Sequence, residues 1–142
     1  MSVLKKAGFY SFLFFLSVAC QKESDEVKIS KALSGMEQGI ENRDAGQVLE
    51  LLSPLFQDHA GRDIKAVRGL MFVHFSRNER INVVTTNKAI QVHNDSARMQ
   101  FDVLLLGSSN ILPERGRRYK VDTEWIKENG NWLLHRMDWQ SE

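Results

Sequence analysis

A single cysteine in 142 residues excludes an internal disulfide, so the folded part of this chain must stand on packing alone. No apolar run reaches the roughly 20 residues that a spanning helix needs. The longest, Ala7 to Val18, stops at about a dozen. Neither sign of charge dominates: 19 basic and 18 acidic residues give a net +1. Near-neutral charge with both signs interspersed does not fit a general nucleic-acid binder, and no nucleic-acid partner is expected. Internal repeats and low-complexity stretches are missing. So are an HExxH helix, a CxxC pair, a phosphate-binding Gly-rich loop and a GxSxG elbow, which leaves no expectation of a metal or cofactor.

What is present begins with an address. Lys5 and Lys6 precede the apolar run, which ends in Ser17-Val18-Ala19-Cys20; directly afterwards Gln21, Lys22, Glu23, Ser24, Asp25 and Glu26 turn the chain polar. This is the layout of a secretory signal peptide with a small residue at the cut. A cysteine in that place resembles the lipobox of bacterial lipoproteins. The resemblance implies lipidation of Cys20, with palmitate-type acyl chains, and cleavage before it. It also implies anchoring in the cell envelope. Gln21, standing where Asp would signal inner-membrane retention, favours the outer membrane facing the periplasm. Plain secretion with a free thiol and an uncleaved anchor are the alternatives. The expected division is a signal peptide over 1–19, a lipidated cysteine and short tether over 20–25, and one domain over 26–142.

Without residues 1–19 the chain keeps 123 residues, 17 basic against 18 acidic, enough for one domain with one core. Its front half reads as helices. Val27, Ile29, Ala32, Leu33, Met36 and Ile40 recur at helical spacing over about 26–42. Asp44-x-x-Gln47 resembles a capping box opening a second helix, which Ser53-Pro54 stops. Asp63 caps a third, with Ile64, Val67, Leu70, Met71 and His74 expected on one face. The back half reads as strands: 81–86, 89–93 and 97–105, then a loop over 107–116, then 118–127 and 131–139 joined at Asn129-Gly130, a strong hairpin signal.

The expected fold class is therefore α+β, with three N-terminal helices packed on a curved, mainly antiparallel sheet. Ile40-Glu41-Asn42-Arg43-Asp44, Leu51-Leu52-Ser53-Pro54-Leu55-Phe56-Gln57-Asp58 and Asn129-Gly130-Asn131-Trp132-Leu133-Leu134 carry a further likeness. Over residues 26–140 the chain resembles the NTF2-like (SnoaL-like, cystatin-fold cone) superfamily. The resemblance implies a cone with a pocket between sheet and helices. It implies no one function, since such domains serve as isomerases, dehydratases, cyclases, transport factors and ligand binders.

An unbroken two-residue hairpin predicts that Trp125 pairs with Leu134, Thr123 with Arg136 and Val121 with Asp138. Tyr119, Trp125, Arg136 and Asp138 then share one face, the expected cone interior, as an apolar pocket with a polar end. A structural Arg–Asp pair is the plain alternative. Asp58 beside His59, and His74 on the third helix, complete the candidate ligand-binding set, with a solvated turn and a core histidine as their plain alternatives. Leu133, Met137, Trp139 and Ile126 fall on the opposite face and suggest a partner surface. The NTF2-like resemblance implies a homodimer through the sheet, with a monomer whose C-terminal aromatics fold over the sheet edge as the alternative. Arg115, Arg117, Arg118 and Lys120 concentrate positive charge that could meet lipid headgroups. No acid, base and oxyanion donor clearly converge, so no catalytic residue is assigned. The leading expectation is a membrane-anchored, non-catalytic domain binding a small apolar ligand or a protein. The alternative is a SnoaL or ketosteroid-isomerase type of enzyme using Asp58, His59, His74 or Asp138 as base, with Tyr119 or Arg136 stabilising negative charge.

Overall fold

The computed structural model describes residues 22–109 and 112–142, with side chains left aside at 108–115. The signal segment, Cys20 and Gln21 lie outside the described residues, as does the middle of the segment expected to loop. Eight elements follow in order: α1 (Asp25–Glu41), α2 (Ala45–Leu49), β1 (Leu52–Asp58), α3 (Ile64–Arg77), β2 (Arg80–His93), β3 (Ser96–Ser109), β4 (Leu112–Glu128) and β5 (Asn131–Ser141). The chain is α+β as expected, but the three helices are not consecutive. Residues 52–58, read as a helix stop and a turn, form an edge strand, where Pro54 is tolerated. One sheet runs β1-β5-β4-β3-β2; β1 is parallel to β5 and the other neighbours are antiparallel. The expected loop over 107–116 is largely strand, since β3 runs on to Ser109 and β4 starts at Leu112.

Helix α1 starts where Ser24 Oγ accepts the Val27 N–H at 3.3 Å, with Asp25 and Glu26 in the first turn. Its buried stripe is Ile29, Leu33 and Met36. Asp25 also ties the helix to the β4–β5 hairpin, accepting from Trp132 Nε1 and Lys127 Nζ at 3.0 Å each. At the other end Asp44 caps α2 by accepting the Gln47 N–H at 3.0 Å. The reciprocal half of a capping box is not made: Gln47 Nε2 donates to the Gly35 carbonyl instead. Gly39 lets the two helices meet, since a Cβ there would lie 2.7 Å from Val48 Cγ2.

The core fills the cone from both sides. Ile29, Leu33 and Met36 meet Phe56, Met99, Phe101, Val121, Trp125 and Leu134, all buried. Trp125 is wholly buried, and its indole N–H donates to Thr123 Oγ1 at 2.9 Å, which donates to the Met99 carbonyl at 2.8 Å. That short chain satisfies the polar atoms that burial would otherwise penalise. Trp125, expected to line a ligand pocket, is thus a keystone of the core.

Helix α3 rests on α2 and β1. Ile64, Val67 and Met71 turn inward, but Leu70 and His74 are exposed, so the expected five-residue face is only partly right. His74 lies in the last turn of α3, about two turns beyond Val67 on nearly the same stripe, and is exposed there. The β1–α3 link is built on Asp58, whose side chain is 1% exposed. It accepts the Ala60 and Arg62 N–H groups at 2.9 and 3.0 Å and Arg62 Nε at 2.6 Å. Burial alone would raise its pKa; the backbone and guanidinium donors of Arg62 and the Ala60 N–H outweigh it and hold the carboxyl below its ordinary value.

Two outcomes follow. Trp125→Ala is expected to cost about 3–5 kcal/mol in urea unfolding, through lost burial and the cavity left behind. Asp58 has a lower pKa folded than unfolded, so its stabilisation is present above about pH 4 and is lost as pH falls through the folded value. Asp58→Asn is expected to lower stability at pH 7 by about 1–3 kcal/mol and to flatten the acid limb of a stability-versus-pH curve.

Candidate functional site: a charged trough on the outer sheet face

Which residues can form a site is decided by one irregularity in the β4–β5 hairpin. The turn is as expected, with Asn129 and Gly130 both at positive φ, 51° and 80°. Glu128 pairs with Asn131 and Trp125 with Leu134. Beyond that the register shifts: Glu124 pairs with Arg136, Thr123 with Met137, Asp122 with Asp138 and Val121 with Trp139. β5 holds one extra residue there, His135, which makes a β-bulge. Every residue after it changes face relative to an unbroken ladder. Arg136 and Asp138 therefore leave the side of Trp125 and project outward. Met137 and Trp139 take the inner side, and the apolar outer patch expected from them does not form.

The middle of the outer face is polar as a result, with Val84, Leu104 and Leu106 keeping its far end apolar. Alternation along β3 sets out Arg98, Gln100 and Asp102, and along β4 Lys120, Asp122 and Glu124. Arg98 Nε donates to both Asp122 oxygens at 2.8 and 3.1 Å, its second nitrogen closing a bidentate pair, and Gln100 Nε2 donates to the same carboxylate at 3.0 Å. Arg136 Nε donates to Asp138 Oδ2 at 3.1 Å. Asn87, at a second bulge in β2 with φ 54°, donates to Asp102 Oδ2 at 2.6 Å. Lys120 reaches Glu142 at 3.0 Å. Asn87, Gln100, Asp102, Lys120, Asp122, Arg136 and Asp138 line an open trough of about 780 Å³, which ends toward β1 at the sheet's rim, where His59 and the inward-turned Trp139 border it. The two rings meet edge-on at 4.2 Å, and the Arg62 guanidinium lies 5.3 Å from the Trp139 ring centre.

The charges hold one another ionised. Hydrogen bonding from Arg98 keeps Asp122 below its ordinary pKa, and the same bond raises Arg98. Arg136 is raised by its hydrogen bond to Asp138, with Glu124 adding to it. Lys120 is raised by Glu142. The second Asp138 oxygen is out of solvent and has no hydrogen-bond partner among the described residues. It is a buried acceptor left unpaired behind the trough wall.

The expected ligand-binding residues are therefore dispersed. Arg136 and Asp138 lie in the trough, on the far side of the sheet from Trp125 and Tyr119. Tyr119 is half-buried on the inner face, opposite Val103 and Ser141. His74 is exposed on α3, and Asp58 is enclosed in its loop. Of the trough's other members, Gln100, Asp102 and Asp122 went unassigned, and Lys120 was read as part of a basic segment. Their signal was the polar half of two alternating strands. Among the described residues no group of three His, Cys, Asp or Glu side chains is placed to hold a metal.

No protein-family model matches the chain, and no curated protein matches it. Solved structures do, 379 chains in all, which marks a widely used scaffold. A cystatin-like fold protein of unknown function from Nostoc punctiforme superposes with a TM-score of 0.70 at 18% identity, over 83% of this chain and 91% of that one. The hexachlorocyclohexane dehydrochlorinase LinA-type3 from Novosphingobium barchaimii gives 0.71 at 17%, over 82% and 86%. An NTF2-like family protein from Streptomyces avermitilis, provisionally named a dehydratase, gives 0.74 at 14%, over 83% and 96%. At such identities the likeness is one of fold: this chain has the NTF2-like, cystatin-like architecture of a curved five-stranded sheet with helices.

Proposed function

We propose that this protein is a lipid-anchored envelope protein, held through Cys20, whose NTF2-like domain is a docking module and not an enzyme. The observation that carries the reading is where the polar groups stand. The cone interior is filled by Ile29, Met99, Phe101 and Trp125, while the charged side chains lie in the trough on the other face. An acid–base enzyme of this fold needs a carboxyl or imidazole poised near neutrality inside a pocket. Asp58 and Asp122 are both held below their ordinary pKa, and Asp58 is already fully hydrogen-bonded. A small apolar ligand is a poor fit to a trough of paired ions, because each pair would lose solvent without gaining a partner.

The trough suits a protein surface, and a second copy of this chain is its first candidate. Arg98, Lys120 and Arg136 are interspersed with Asp102, Asp122, Glu124 and Asp138, so the face carries both signs and a copy turned through a two-fold axis can set bases of one chain against acids of the other. The dehydrochlorinase among the fold neighbours supports the competing enzyme reading, and turnover of a small hydrophobic substrate by the purified chain would decide for it.

Native mass spectrometry is expected to show a dimer. Lys120→Ala combined with Arg136→Ala is expected to weaken it by roughly tenfold with unfolding temperature unchanged. A lowered unfolding temperature with an unchanged dimer would make these groups structural pairs only. Cys20→Ser is expected to remove lipid labelling and to move the protein out of the membrane fraction of its host. An unchanged membrane fraction would end the anchor reading.

A further inference from the structure

Helix α3 has a composition that its packing does not explain. Between Ile64 and Arg77 there is no acidic residue, while Lys65, Arg68 and Arg77 are all exposed. Among them stand large apolar side chains that the fold does not cover. Phe72 is 75% exposed, Leu70 37% and Val73 38%. With Ile64, Val67 and Met71 turned inward, helical geometry places Arg68, Phe72 and Lys65 on one flank of the outward face. Val73, Leu70 and Arg77 fall on the other. The one carboxylate at its start, Asp63, caps the helix by accepting the Ala66 N–H at 2.9 Å and lies a full helix turn or more from Leu70, Phe72 and Val73.

The surroundings continue the pattern. The helix end abuts the far end of the sheet, where Asn78 Oδ1 would lie 2.7 Å from a Cβ at Gly107. Arg43 reaches over to the Asn78 carbonyl at 3.4 Å. Arg117, opposite Leu105, alternates onto the same inner side of the sheet and is exposed. Basic residues thus flank a compact apolar patch, Leu70 to Val73, midway along a helix about 21 Å long.

We infer that α3 is a membrane-surface helix, with Phe72, Leu70 and Val73 entering the headgroup boundary of a bilayer and Lys65, Arg68 and Arg77 meeting its anionic lipids. A basic polar rim around exposed aromatic and aliphatic residues is the makeup of helices that lie in an interface. Each basic residue close to an anionic leaflet strengthens binding by on the order of fivefold. A protein partner would have to supply carboxylates around an apolar groove; a bilayer supplies both without special design. No described helix is long and apolar enough to cross a membrane, so α3 would lie on the surface. This goes beyond the anchor at Cys20 and does not depend on it.

The test uses the full chain with Cys20→Ser, which removes any acyl anchor, and Ser76→Cys as the sole cysteine, labelled with an environment-sensitive dye. Ser76 is exposed on the outward face of α3. Vesicles of phosphatidylcholine with 30% phosphatidylglycerol are compared with phosphatidylcholine alone. A blue shift confined to the anionic vesicles and reversed by salt is the expected result. Lys65→Glu with Arg68→Glu should weaken it by at least roughly tenfold, and Phe72→Ser should reduce the shift while circular dichroism stays native. No shift overturns the inference. A shift that neither variant alters also overturns it, since the signal segment would then be what binds. A shift that grows with protein concentration without vesicles assigns the face to another copy of the chain and overturns it too. Because Cys20 is already absent, the outcome is independent of the host fractionation that tests the anchor.

Discussion

Strand β5 carries one residue more than β4 can pair, and the sidedness of the sheet depends on it. His135 takes up the excess between Leu134 and Arg136. Before it, Trp132 and Leu134 point at the helices; after it, Met137 and Trp139 do, and Arg136 and Asp138 are put outside. Had the ladder run unbroken, an arginine and an aspartate would stand beneath α1 among Ile29, Leu33 and Trp125. Burying that pair would cost several kcal/mol per ion before any attraction repaid it. The bulge avoids this cost and delivers two charges to the outer face. The bulge at Asn87 does the same service on β2, letting Thr85 and Ile90 both stay inward although five residues apart.

With sidedness set, α1 closes the cone and its two ends are fixed differently. The N-terminal end is held by charge, Asp25 against Lys127 and Trp132 on the hairpin. The C-terminal end is held by shape, Gly39 against Val48, and by the Glu41 carboxylate accepting the Val83 N–H at 2.9 Å. Hydrogen bonding from Trp132, then from Lys127, holds Asp25 below its ordinary pKa against a smaller opposing effect of burial. The helix that leads back toward Cys20 therefore leaves the domain from a tied position, so any pull on the chain ahead of it is borne by the hairpin.

The class of fold was legible because periodicity is local. Ile29, Leu33 and Met36 announce a helix and the run from Ala97 to Leu105 a strand, whatever surrounds them. The Asp44 and Asp63 caps and the Asn129-Gly130 turn were legible for the same reason. β1 was not, because Ser53-Pro54 is a stop signal locally and becomes an edge strand only by pairing with β5, some 80 residues away. The site was illegible for a sharper reason. A bulge has no dependable residue signature, and one misplaced residue inverts a face. The reading that put Arg136 and Asp138 beside Trp125 followed correctly from the hairpin turn and failed at His135. Tyr119 and Trp125 were placed on the right side of the sheet. His74 was misplaced because α3 is exposed over more of its surface than a core helix.

The trough and α3 lie on opposite sides of the sheet, which bears on how the two proposed contacts combine. The trough occupies the outer face, with Asp122 and Gln100 near its centre, while α3 and Arg117 belong to the inner side. A copy docked in the trough leaves α3 free, and a bilayer against α3 leaves the trough free. The geometry of α1 adds a condition. Its 17 residues span about 25 Å, and α3 adjoins its C-terminal end through α2. A chain anchored just ahead of Asp25 brings α3 to the same bilayer only if α1 lies along the membrane and not upright from it. In that attitude the trough would face sideways or away from the lipid. A second anchored copy could then reach it within the plane of the membrane, where tethering raises effective concentration and a modest interface suffices.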